Sequence, residues 1–188
     1  MNKKKGKIIT YFKQVKHKRE TMRKKSLRLL LLTSISSLFF IGCSNHEAAL
    51  KTMPNEIAQA NECKSTNKEF EADCYDLISY KNSIAMLRSG VIAYSKGNYQ
   101  EAFQKYSIAQ EKGNFYANSL LADLYNKGNG VPKNQEMALD LLKDVDNVDG
   151  IAAYKLSFYY INKKDYDEAI ELLTFAGNNN VKKAQYEL

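Results

Sequence analysis

Three cysteines, Cys43, Cys63 and Cys74, and a histidine, His46, are the residues of this chain best equipped to do chemistry. His46-Glu47-Ala48-Ala49-Leu50 opens like a two-histidine zinc pattern. Leu50 stands where the second imidazole would have to be, so the helix turn that would hold a metal is incomplete. Ser65-Thr66-Asn67-Lys68 spaces a hydroxyl and an amine as S-x-x-K, but no partner motif follows. Gly128-Asn129-Gly130 is no phosphate loop, since no strand precedes it and no Lys-Ser/Thr follows. Cys63 and Cys74 flank the turn-like Lys64-Ser65-Thr66-Asn67. No histidine lies nearby and the spacing fits no zinc pattern. Two readings stay open: a bridge that clamps a short helix–turn–helix, worth roughly 2–3 kcal/mol for a loop of this size, or two free thiols on one helix. No residues converge on catalysis. The chain reads as a binding protein and not an enzyme, with no cofactor and no metal expected.

The remaining cysteine has a different setting. The formal charge is +7, but residues 1–42 hold 12 Lys/Arg and one acid, while residues 43–188 hold 16 Lys/Arg against 20 Asp/Glu. A basic run beside an apolar one is a targeting signature, so the basic pI argues for no nucleic-acid partner. Arg23, Lys24, Lys25 and Arg28 form a positive region. Leu29–Ile41 is an apolar run too short to span a bilayer well, a task that needs about 20 residues. Gly42-Cys43 follows. Phe40-Ile41-Gly42-Cys43 resembles a bacterial lipobox, with Phe40 in place of the usual Leu. The resemblance implies cleavage before Cys43, acylation (palmitate) of Cys43 and attachment to a membrane through the lipid chains. Ser44 after the cysteine, instead of Asp, points to the outer membrane, facing the periplasm. Met22 begins a complete signal, so residues 1–21 read as an upstream extension and residues 22–42 as the signal peptide. Residues 43–54, polar and containing Pro54, read as a tether, followed by a short helix near Asn55–Asn61.

These elements would present a repeat. Lys68–Tyr80 puts Phe70, Cys74, Leu77 and Ile78 on one helix face, and residues 55–82 together read as N-terminal capping helices. From about Ser83 small residues recur in register. Ala85, Ala117, Ala152 and Ala184 mark first helices; Ala102, Ala138 and Ala169 mark second helices, with Ala109, Val145 and Ala176 seven residues on. A small side chain lets two helices approach to about 8–10 Å. The turns carry Gly97-Asn98, Gly128–Pro132 and Lys164-Asp165, residues that stop one helix and cap the next.

Units one and three resemble tetratricopeptide repeats, through Gly90, Gly97, Tyr99, Ala102, Tyr106 and Ala109, and through Leu156, Tyr160, Tyr166, Ala169 and Ala176. The middle unit resembles a Sel1-like repeat: Ala117, Leu121, Ala122, Tyr125, Gly128, Gly130, Val131, Asn134 and Ala138 follow that pattern, with Ala122 for the usual Gly and Asn134 for the usual Asp. The fold implied is all-α, a short α-solenoid of antiparallel helix pairs over residues 83–188, with three repeats and a partial fourth. Gly128–Pro132 is expected to project as a small loop, a local contact site.

The resemblance also implies a groove lined by first helices: Leu87, Val91 and Tyr94 in unit one; Tyr116, Asp123 and Asn126 in unit two; Tyr154, Phe158 and Ile161 in unit three. That surface is apolar and aromatic and suits a helix or an extended peptide. The leading expectation is a lipid-anchored cell-envelope adaptor that holds an unidentified protein or peptide. A periplasmic immunity or inhibitor lipoprotein is a second reading, and a cell-wall enzyme or enzyme activator a third.

Overall fold

The computed structural model describes residues 46–188. The proposed upstream extension, the signal peptide and Cys43 lie outside them. Among the described residues there are nine helices and no strand. They are α1 (Glu47–Glu62), α2 (Lys68–Ile78), α3 (Ser83–Ser95), α4 (Tyr99–Glu111), α5 (Tyr116–Lys127), α6 (Gln135–Lys143), α7 (Gly150–Asn162), α8 (Tyr166–Asn178) and α9 (Lys182–Glu187).

From α2 onward each helix packs on the next in sequence. The short turns force antiparallel pairs, α3 with α4, α5 with α6 and α7 with α8. The small-residue register is why they can pack so closely. Ala85, Ala117, Ala152 and Ala184 are fully buried, as are Ala109, Val145 and Ala176. Gly90 serves the same end, since a Cβ there would sit 2.7 Å from the ring of Tyr106. Side-chain caps start four of the nine described helices; Asn98 and Asp165, expected as caps, make none. Asn67 accepts from the Glu69 and Phe70 amides, Asn82 from Ala85, Asn134 from Met137 and Asp149 from Ile151, satisfying amides that have no intrahelical partner. Asn134 thus caps α6 as the usual Asp would.

Three expectations need correction. The first concerns the tether. Residues 47–54 are helical, part of the sixteen-residue α1, which begins at Glu47 and runs through Pro54. Pro54 lacks the N–H that would close a helical bond, but its ring is exposed. Tertiary packing outweighs the break, because Ala49, Met53, Ile57 and Ala60 form a stripe that joins a core with Ile84, Ala85, Phe115, Val145 and Ala152. α1 lies as a strap along one edge of the stack. Successive α2–α3, α4–α5 and α6–α7 turns share that edge, and α1 meets each. The Asn82 amide donates to Glu56 O at 2.9 Å and to Gln59 Oε1 at 3.2 Å. His46 stacks edge-on against Phe115 at 5.5 Å, and its Nε2 lies 3.2 Å from Asp144 O.

The second concerns α2. Its inner face is centred on Tyr75 and Ile78; Phe70 and Leu77 are 58% and 75% exposed. The helix is turned by roughly a quarter turn from the expected face, at 100° per residue. Cys74 is bridged to Cys63, with Cα atoms 5.5 Å apart. Tyr75 OH donates to Glu71 at 3.0 Å while Arg88 lies over its ring at 5.5 Å. Those ties set the rotation.

The third concerns the Gly128–Pro132 loop, which does not project. Gly128 and Gly130 have φ of 75° and 71°, which turns the chain back onto the stack. A Cβ on Gly130 would lie 2.6 Å from the carbonyl of Tyr99, so this backbone is seated on the start of α4. Val131 packs against the core formed by Ala102, Tyr106 and Leu121.

Candidate partner-binding surface

The expected groove residues sit on α3, α5 and α7, the first helices of the three pairs. They do not form one continuous open surface. Val91 and Phe158 are 43% and 41% exposed. Asn126 is exposed as well, and Leu87 and Ile161 are half-buried. Phe158 stands edge-on to Tyr154 with centroids 5.0 Å apart. Tyr116 is turned inward: it packs against the α1 core, 4.5 Å from the ring of Phe115. Burial pushes its phenol above the ordinary value, with the nearby Asp149 carboxylate adding to the effect.

Two of the polar members, Asp123 and Tyr94, are already engaged between repeats. Asp123 pairs with Lys155 at 2.9 Å, and Lys155 also donates to the Ser119 carbonyl at 2.8 Å. That ties α5 to α7. Lys127 donates to Tyr94 OH at 3.1 Å and hangs over its ring, a hydrogen bond that raises the lysine pKa. That ties α5 to α3. Tyr94 also meets Tyr99 edge-on at 5.1 Å. Lys127 and Lys155 were not among the residues read from the sequence. Their only signal there is a basic residue one repeat away from an acceptor.

At the unit-one end the surface opens into a cleft of about 830 Å³ between α2 and α3. Val91 and Ile92 form an apolar wall beside Arg88 and Lys96, and across from them α2 lines the cleft with Lys68, Glu69, Glu71, Asp73 and Tyr75, a mixed-charge side. Arg88 donates to Asn61 at 2.8 Å, which fixes its guanidinium at the rim. Glu71 pairs with Lys68 at 2.7 Å, and that hydrogen bond, with a second from Tyr75, holds its carboxyl below the usual range.

Two arrangements resemble catalytic ones and are built differently. Lys68 reaches the Ser65 carbonyl and Glu71, while Ser65 Oγ accepts from the Asn67 amide, so the S-x-x-K pair makes a turn and cap. Ser89, Lys105 and Asp76 are mutually hydrogen-bonded. Ser89 is 4% exposed, and although burial opposes it, the hydrogen bonds that Lys105 donates to Asp76 and Glu101 raise the lysine pKa. A lysine held protonated is a poor general base. The cluster ties α2 to α3 and α4. Among the described residues no group of three His, Cys, Asp or Glu is placed to hold a metal ion.

No family model and no characterised relative matches the chain in sequence. In structure it is similar to a protective antigen present in uropathogenic Escherichia coli strains, which displays an SLR (Sel1-like repeat) fold. The likeness covers 79% of this chain with a TM-score of 0.58 at 24% identity. The chain spans about a third of that protein's length, 35%. The fold is therefore a short Sel1-like α-solenoid, as the resemblance implied.

Proposed function

We propose that this chain is a lipid-anchored cell-envelope adaptor, held to the membrane through an acylated Cys43, which binds a partner protein or peptide along the first-helix face. The observation that carries the binding surface is the pairing of exposed Val91 and Phe158 with neighbours that are already satisfied. Tyr94 and Asp123 are spent on inter-repeat ties and Asn126 alone of the polar members is exposed, so the face offers mainly apolar contact, the kind that an amphipathic helix or an extended peptide uses. The cleft beside Val91 adds charged groups at one end, which would fix the direction of a bound segment.

The test is photocrosslinking in cells with the full, processed protein, comparing Val91→Glu and Phe158→Glu with the parent. A charge at either position costs partner burial without touching the buried register. The expected result is loss of the crosslinked species with the helical circular-dichroism spectrum unchanged. Retention of every partner by both variants refutes the groove.

A further inference from the structure

We propose that α1 fixes which surface of the protein lies against the bilayer: the turn edge that it straps faces the membrane, and the opposite turn edge, including Gly128–Asn134, faces away. The inference rests on the proposal that Cys43 is acylated, and it adds an orientation to it.

The expected tether would have let the repeats swing freely. Instead His46 is docked on Phe115 and Asp144, and α1 is packed into the core from there on. Two residues, Ser44 and Asn45, separate Cys43 from His46, a span of three Cα-to-Cα steps. At no more than about 3.6 Å per residue, Cys43 lies within roughly 11 Å of His46 whatever path the chain takes. An acylated Cys43 sits at the bilayer surface. The edge that holds His46 must therefore lie there too. The α4–α5 and α6–α7 turns are on this edge, and the outward side of α1 carries Leu50, 52% exposed, beside Lys51, which pairs with Glu47 at 2.7 Å. An apolar residue with a neighbouring lysine suits a lipid headgroup region. The α5–α6 loop is a helix length away on the other edge. With twelve residues in α5 at 1.5 Å per residue, the two edges are separated by about 18 Å.

The experiment uses the processed full chain in phosphatidylethanolamine–phosphatidylglycerol vesicles that contain a headgroup spin-labelled lipid. Single environment-sensitive fluorophores are attached through Asn147→Cys, on the strapped edge, and Glu136→Cys, on the opposite edge. The native bridge leaves the introduced thiol as the reactive one. Acylation is read separately by metabolic incorporation of an alkyne fatty acid, with Cys43→Ser as control. The expected result is fatty-acid labelling with several-fold stronger quenching at position 147 than at 136. A flexible insert of about ten Gly/Ser residues between Asn45 and His46 should preserve acylation and abolish that difference. Absent labelling removes the anchor and this proposal with it. Labelling with equal quenching at the two positions, or stronger quenching at 136, overturns the orientation and leaves the anchor standing.

Discussion

Gly130→Ala and Gly97→Ala make a pair that isolates how the middle repeat is built. Both glycines have positive φ, 71° and 81°, so alanine at either pays the left-handed penalty of about 1–2 kcal/mol. Each also gains the same small unfolded-state benefit, about 0.4–1 kcal/mol. These two effects cancel in the comparison. What differs is space. A Cβ at Gly97 meets nothing within 4 Å, whereas at Gly130 it meets the Tyr99 carbonyl at 2.6 Å and the Gln100 nitrogen at 2.8 Å. Those are backbone atoms of α4 and cannot rotate away. Overpacking of this kind costs about 1–3 kcal/mol, so Gly130→Ala should be less stable than Gly97→Ala by that amount. Urea unfolding of the Cys43→Ser protein lacking residues 1–42, followed by circular dichroism, measures it. With a slope of about 1–3 kcal/mol per molar, the midpoints should differ by about 1 M. Equal midpoints would mean that the Gly128–Pro132 loop is not seated on α4, and the sequence expectation of a projecting loop would stand.

Cys63→Ser with Cys74→Ser should lower stability by about 3 kcal/mol, the loop-closure value for a bridge of this span; proteolysis should then begin in α1 and α2, not in the repeats. Met53→Ala, which removes a 4%-exposed side chain where α1 meets the stack, should cost about 2–4 kcal/mol in the same unfolding assay. Asp149 is 1% exposed and burial raises its carboxyl pKa, although the Ile151 and Ala152 amides oppose the shift. The folded state therefore holds its proton to higher pH than the unfolded chain, and stability falls as pH rises from the ordinary carboxylate value through the raised one. Asp149→Asn keeps the cap to Ile151 and removes the buried charge, so it should flatten that part of the pH–stability curve; Asp149→Ala loses the cap and should cost about 1 kcal/mol at neutral pH.

The repeat was legible because its signal is steric. Ala85, Ala117, Ala152 and Ala184 recur where no larger side chain fits, and each is fully buried. The turns were legible too, through Gly97 and Gly128 with their positive φ and through the cap at Asn134, but Asn98 and Asp165, read as caps, make no side-chain cap, and Asn67, Asn82 and Asp149 do so instead. What escaped depends on distant partners. α1 holds a proline and polar residues that describe a tether locally, and its stripe of Ala49, Met53, Ile57 and Ala60 acquires meaning only beside Phe115 and Val145. The face of α2 was misjudged for a related reason: Phe70 and Leu77 are more apolar than Tyr75, yet a bridge and an arginine on another helix select Tyr75 for the interior. Gly130 announced a turn, but not that the turn folds back on Tyr99.

The same distinction bears on the binding surface. A sequence pattern places Tyr94, Tyr116 and Asp123 on the first-helix face but cannot say whether they are free. The structure engages all three within the stack: Tyr94 with Lys127, Asp123 with Lys155, Tyr116 with the α1 core. Each tie links one repeat to the next or to the strap, so a partner that recruited those side chains would have to loosen the stack. On the proposed reading, binding that leaves the repeats intact falls on Val91, Phe158, the exposed Asn126 and the cleft at the unit-one end. Lys155→Met separates the two cases. It frees the Asp123 carboxylate and removes the α5–α7 tie, a loss of about 0.5–1 kcal/mol for a partly exposed pair. If recognition is confined to the apolar positions, the crosslinked species persists in this variant while Val91→Glu abolishes it. If Lys155→Met alone eliminates the crosslink at a temperature where the helices remain folded, the inter-repeat ties belong to the binding surface and the assignment to Val91 and Phe158 is too narrow.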